Sequence, residues 1–229
     1  MNVNLDVLDA LAPENPIRML YDEAIQKSQQ GQHDNLNKRM RFYLMHQLAR
    51  QAILRNPDLD LVECGCWFGH SSYITATLMA QCKSGGRLHV FDSFEGLSEF
   101  KPPDLSRHWT TDEQRSEIRT WFRSDLERVR QLLVPFESVE IYPGWIPDRF
   151  ADFSPSKLGF VSIDVDLYEP TRDCIEFFHP RLVDGGIMYF DDYGYRDFPG
   201  AKRAVDEYLQ EHVPTFFIEG PAGSAFAIK

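Results

Sequence analysis

Leu61-Val62-Glu63-Cys64-Gly65-Cys66-Trp67-Phe68-Gly69-His70-Ser71-Ser72 is the stretch on which the reading of this chain turns. Leu59 to Cys64 reads as a buried strand, followed by a glycine turn and the start of a helix that runs through Ser72–Gln81. Gly65 allows the backbone to approach a ligand closely, and Gly69 allows tight entry into the helix. Ser71 or Ser72 is placed to cap that helix, whose free N–H groups would face a ligand. The spacing is acidic-x-Gly-x-x-x-Gly, not the Gly-x-Gly-x-x-Gly of dinucleotide binders. A plain strand-to-helix turn would carry the same glycine pair, so the motif needs support from elsewhere.

The next strand, Arg87 to Phe91, supplies some. It runs into Asp92 and Ser93, which places Asp92 at its carboxyl end, 23 residues beyond Gly69. In doubly wound sheets an acidic residue at about that distance accepts hydrogen bonds from ribose hydroxyls. Together the two features favour a ribose-bearing cofactor.

Further along, strands at Ser138 to Tyr142, Leu158 to Ile163 and Ile187 to Phe190 alternate with helical stretches. One long connection is predicted to carry a helix with Ile118, Trp121, Phe122, Leu126, Val129 and Leu133 on one side. Asp184-Gly185-Gly186 reads as a turn, and the last fifteen residues, TFFIEGPAGSAFAIK, as a hairpin. Such alternation implies an α/β fold: a doubly wound, Rossmann-like, mainly parallel sheet with an antiparallel C-terminal hairpin. Residues 1–56 form an N-terminal helical extension, with Leu36, Met40, Tyr43, Leu44 and Leu48 marking its second helix, and residues 57–229 form the sheet domain. Apolar residues of the extension (Ile17, Leu20, Met40, Leu44) exceed what one sheet face needs, which predicts a homodimer or larger with those helices near the acceptor pocket.

Among 229 residues, 24 lysines and arginines face 35 aspartates and glutamates, a net charge of −11 that disfavours a nucleic-acid partner. The first residues, MNVNLDVLDALAPENP, lack the basic and apolar regions of a secretory signal, and no apolar run reaches the ~20 residues that span a bilayer. No membrane partner is expected, and the four cysteines show no disulfide or zinc spacing, so the cytoplasm is the expected compartment.

Aspartates gather where two strands end: Asp164 and Asp166 in Ile163-Asp164-Val165-Asp166, and Asp191 and Asp192 after Phe190. Both ends belong on the ligand side of a parallel sheet, where converging carboxylates repel one another unless a cation neutralises them. Hard oxygen ligands suit Mg²⁺. Solvated strand-end carboxylates are the plainer alternative.

The strings VECGCWFGHSS, FDSFEGL and DDYG followed by PGAKRAVDEYL closely resemble the macrocin-type sugar O-methyltransferases, over roughly residues 36–229. That resemblance implies a class I methyltransferase that uses S-adenosylmethionine, releases S-adenosylhomocysteine and methylates a sugar or glycoside hydroxyl with Mg²⁺. By position it implies Glu63, Gly65 and Ser71 for the methionine part, Asp92 with Ser93 for the ribose, and Asp164, Asp191 and Asp192 for the metal. Trp145, after the third strand, falls where an adenine would lie, and a buried core tryptophan is the alternative there. Asp164 is the expected base, Asp166 is a lesser metal candidate, and His70 stands where the family often has a small residue. His108, Trp109 and Arg115 lie in the expected acceptor region. A catechol-type O-methyltransferase, a non-catalytic S-adenosylmethionine-binding module and a Rossmann dehydrogenase are the competing readings, the last disfavoured by the missing glycine fingerprint.

Overall fold

The computed structural model describes residues 15–229. Two helices lead, α1 (Pro16–Lys27) and α2 (Leu36–Arg55), followed by β1 (Asp60–Cys64), α3 (His70–Gln81) and β2 (Leu88–Asp92). Helices α4 (Asp112–Trp121) and α5 (Leu126–Leu133) precede β3 (Val139–Pro143) and β4 (Leu158–Ile163). Then come α6 (Tyr168–Phe178), β5 (Leu182–Phe190), α7 (Pro199–Glu211), β6 (Phe216–Glu219) and β7 (Ala225–Ile228). The strands form one sheet in the order β3-β2-β1-β4-β5-β7-β6. The first five run parallel, and the C-terminal hairpin pairs antiparallel against β5. This is the doubly wound architecture expected from the alternation of elements.

Both faces of the sheet are covered, so its central strands read as apolar runs. Leu61, Leu88, Val90 and Phe160 pack under α1, α2 and α3, while Val62, Phe91, Val161 and Ile163 pack under α6 and α7. Leu20 lies inside the first of these layers and Leu44 packs against it. The apolar surplus that suggested a second copy is therefore partly absorbed by the chain's own core.

Three local expectations change. The predicted single helix across residues 118–133 is two helices, because Asp125 turns its carboxylate onto the N–H groups of Glu127 and Arg128 and starts α5 afresh. Asp184-Gly185-Gly186 is no turn but an irregularity inside β5: Leu158 pairs with Leu182, and two residues later Phe160 pairs with Ile187. In α2 the deepest stripe is Lys38, Phe42, Met45, Ala49, Ala52 and Ile53, rotated from the predicted one, and Leu36 is exposed.

Candidate active site

The carboxyl ends of β1, β2, β4 and β5 open into one cleft of about 940 Å³, roofed by α2 and α4. That volume is at the upper end for small-molecule sites, which run to ~1,000 Å³. Gly65, Ser71, Asp92, Ser93, Trp145, Asp164, Asp191 and Asp192 all line it. Glu63 does not; it is buried beneath the turn, where its carboxylate accepts from the Ser72 hydroxyl. Burial pushes the Glu63 carboxyl up to about 7, against the pull of the Ser71 and Ser72 hydroxyls.

The glycine turn is held by Asp92. Its Oδ2 accepts from the N–H groups of Cys66 and Trp67, each at 2.8 Å, and its Oδ1 from the N–H of Phe94 at 2.7 Å. Since each carboxylate oxygen has two lone pairs, Oδ1 keeps one acceptor position open to a ligand hydroxyl. Burial raises the Asp92 carboxyl and the three backbone donors oppose it. Gly65 adopts φ +84°, and a Cβ there would lie 1.7 Å from the carbonyl oxygen of Asp164, so no other residue fits. Neither Ser71 nor Ser72 caps α3; Gly69 occupies the N-cap in the left-handed region, and the first turn lacks a side-chain cap. Trp145 is half-buried at the cleft wall rather than in the core.

Across the cleft, Asp164, Asp166 and Asp192 bring one carboxylate oxygen each within 4.8 Å of one another. The grouping differs from the expected Asp164, Asp191 and Asp192. Asp191 is engaged elsewhere: its Oδ2 lies 2.9 Å from the Arg41 guanidinium and its Oδ1 accepts from the Tyr189 hydroxyl at 2.9 Å. Asp166 takes its place because φ +60° swings the chain out of the extended conformation and carries that side chain back toward Asp164. Burial first, and then the neighbouring carboxylates, push Asp164 and Asp166 well above the usual carboxylate range. Burial and Asp191 lift Asp192 to about 7, with Arg41 opposing. Among the described residues Asp192 Oδ2 is buried without a hydrogen-bond partner. Three clustered carboxylates, one of which keeps an unsatisfied oxygen, form a donor set that fits a hard divalent cation.

A macrocin-O-methyltransferase (TylF) family model matches residues 32–218. The chain belongs to that family. Among curated proteins, it is 34% identical over 155 residues to the 8-demethyl-8-(2,3-dimethoxy-alpha-L-rhamnosyl)-tetracenomycin-C 4'-O-methyltransferase of Streptomyces olivaceus, covering 65% of this chain and 57% of that protein. It is 28% identical over 172 residues to the demethyldecarbamoylnovobiocin O-methyltransferase of Streptomyces niveus, covering 72% of this chain and 63% of that one. The chain thus matches only 57% and 63% of the lengths of these two relatives. The solved O-methyltransferase NovP superposes with a TM-score of 0.66 at 24% identity, over 83% of this chain and 80% of that one, a likeness of fold.

The macrocin-type motifs pointed to one wall of the cleft and missed another. Gln30, Lys38 and Arg41, from α2 and the segment before it, line the cleft, as do Trp67 and Trp121 at its mouth, where the two indoles lie 5.0 Å apart. The sequence signal was present for Lys38, which lies on the same helical face as Phe42, Met45 and Ala49. In the acceptor region Trp109 lines the cleft and donates to the Asp197 carbonyl oxygen at 2.9 Å. His108 pairs with the Asp197 carboxylate at 3.1 Å, and Arg115 donates to the Trp109 carbonyl oxygen at 2.8 Å. These two side chains brace the segment. Among the described residues no helix is long and apolar enough to cross a membrane.

Proposed function

We propose that this chain is an S-adenosylmethionine-dependent O-methyltransferase that acts on a hydroxyl of a sugar or glycosylated small molecule, assisted by Mg²⁺. One observation carries the reading: Asp164, Asp166 and Asp192 converge in the same cleft as the glycine turn and Asp92. Simple cofactor binding has no use for such a cluster, whereas activating a hydroxyl does. Both curated relatives are named as O-methyltransferases, and the name of the first places a rhamnosyl group on its substrate, which agrees with a sugar acceptor.

Asp92 is suited to accept from ribose hydroxyls through the open position on Oδ1, and Trp145 offers a face to an adenine. Gly65 and Ser71 border the methionine portion. Asp164, Asp166 and Asp192 would hold the Mg²⁺, with Arg41 keeping Asp191 behind them. When bound, the ion would lower the pKa of the acceptor hydroxyl. The Asp164 carboxylate is the proton acceptor for that hydroxyl, and burial raises its proton affinity. The indoles of Trp67 and Trp121 and the ring of Phe122 line the cleft and offer an apolar surface to an acceptor there.

The test pairs calorimetric binding of S-adenosylhomocysteine with methyl transfer to a sugar nucleotide, a glycoside and a catechol. Methylation of the glycoside or sugar nucleotide is expected. Binding without transfer to any of the three would support a cofactor-binding module, and transfer to catechol alone would move the acceptor class.

A further inference from the structure

The ammonium of Lys38 poses a problem that the proposed chemistry leaves unanswered. Lys38 is only 8% exposed, yet among the described residues its Nζ has no hydrogen bond and no ion pair. It sits over two aromatic rings, 5.4 Å from the centroid of Phe42 and 5.5 Å from that of Trp67. Cation–π attraction offsets part of the lost hydration but does not replace an anion. Of the nearby carboxylates, Asp34 binds Arg39 and the Tyr21 hydroxyl and Asp191 binds Arg41, while Asp164 attracts Lys38 without forming an ion pair with it. Burial accordingly pulls the Lys38 ammonium down to about 8, although Asp164 and Asp34 oppose it.

Beside it stands a second unsatisfied group. His70, 3% exposed, opens α3 with its ring tilted against the same Phe42 ring at 4.6 Å; neither buried ring nitrogen has a close hydrogen-bond partner, although the Tyr21 backbone favours an N–H on one of them. Burial holds that imidazole neutral, so one of its nitrogens is a free acceptor. Gln30, 1% exposed, likewise presents a buried Oε1 without a partner among the described residues. All three line the same cleft as Gly65 and Ser71. A buried cation and two buried acceptors, flanking an uncapped helix N-terminus, match the two ends of an α-amino-acid zwitterion. A phosphate would meet the cation but be repelled by the Gln30 carbonyl.

We infer that Lys38 binds the α-carboxylate of the methyl donor's methionyl group while His70 and Gln30 accept from its α-ammonium, so that the N-terminal helical extension completes the donor site. The inference rests on the cleft being an S-adenosylmethionine site. It assigns Lys38 and His70 a role in binding and none in the chemistry of transfer.

The experiment is calorimetry on the full chain with two ligands that differ in the amino-acid group, S-adenosylhomocysteine and 5′-deoxy-5′-methylthioadenosine. Lys38→Met should weaken S-adenosylhomocysteine by about tenfold or more, as for a lost charged hydrogen bond. Binding of methylthioadenosine should stay within about twofold, because that ligand lacks the groups concerned. Lys38→Arg, which keeps the charge, should retain most of the affinity. Equal losses for both ligands, or no loss for S-adenosylhomocysteine, would overturn the assignment. So would a loss confined to a nucleoside diphosphate sugar titrated in parallel, which would give the cation to the acceptor. An unsubstituted chain that binds neither adenosine ligand would sink the methyl-donor reading beneath it, a different result from either of these.

Discussion

The two halves of the cleft handle buried negative charge in opposite ways. At the ends of β1 and β2 a single carboxylate, Asp92, is met by three backbone N–H groups, so its charge is organised by the chain itself. At the ends of β4 and β5 three carboxylates face one another, and Asp192 Oδ2 has no donor at all among the described residues. The nearest cation, Arg41, is spent mainly on Asp191, at 2.9 Å against 3.6 Å to Asp192. Backbone dipoles can stabilise one buried charge without outside help, whereas clustered charges remain costly until a counter-ion arrives. The first half is complete as folded, and the second is the half that the proposed Mg²⁺ would complete.

The sharpest way to break this contrast is to remove divalent ions. EDTA should abolish turnover and added Mg²⁺ should restore it, while calorimetric affinity for S-adenosylhomocysteine stays nearly constant. Full activity in EDTA would mean that the acidic half needs no partner. Next in size, Asp164→Asn should lower turnover by about 10²–10⁴-fold, the usual scale for a lost general base. Its cofactor affinity should change by less than about threefold, since the proposed ribose contact is made by Asp92 and not by Asp164; comparable losses in both would merge the halves.

A smaller effect is expected on the self-sufficient side. Asp92→Ala should weaken S-adenosylhomocysteine by about 1.5–3 kcal/mol and lower the melting temperature as well, because it orphans three backbone donors. Unchanged affinity in a folded variant would remove Asp92 from the ribose site.

Glu63 offers the subtlest test, through pH. Its carboxyl rises from 4.5 to about 7 on folding, so the folded state holds the proton more tightly. The stability this contributes is fully present below about 4.5 and is lost as pH rises through about 7. Glu63→Gln cannot lose it, so denaturant titrations should show the variant gaining about 1–3 kcal/mol on the parent between pH 4 and pH 8. A constant difference across that range would mean that Glu63 is not desolvated.

Legibility in the sequence followed the same division. The β1–α3 junction and Asp92 were readable because each of their features is local: two glycines at a strand end and an acid at the next. The acidic half was readable in composition but not in grouping. The period-2 rule for extended chain relegated Asp166, and it fails here because Asp166 sits at φ +60°. The break between α4 and α5 was hidden by apolar spacing that continues from Ile118 to Leu133, although Asp125 was a visible capping residue. Lys38 was signalled only by its register with Phe42, Met45 and Ala49, a signal overridden because a lysine reads as solvated until the fold shows what it faces.

The fit at Gly65 also bears on how relatives of this chain can diverge. Its α-carbon is pressed against the carbonyl of Asp164, so the backbone of the turn and the backbone of the acidic strand end touch without a side chain between them. Misplacing reacting groups by about 1 Å can cost some two orders of magnitude in rate. A lineage that changes its acceptor must therefore leave this seam alone and vary the surfaces that do not set the donor-to-acceptor distance. Those surfaces are α4 and the loop before it, where Trp109, Ile118 and Trp121 face the cleft from an element that the sheet does not constrain. On this geometry, a change of substrate is accommodated at the roof more readily than at the seam.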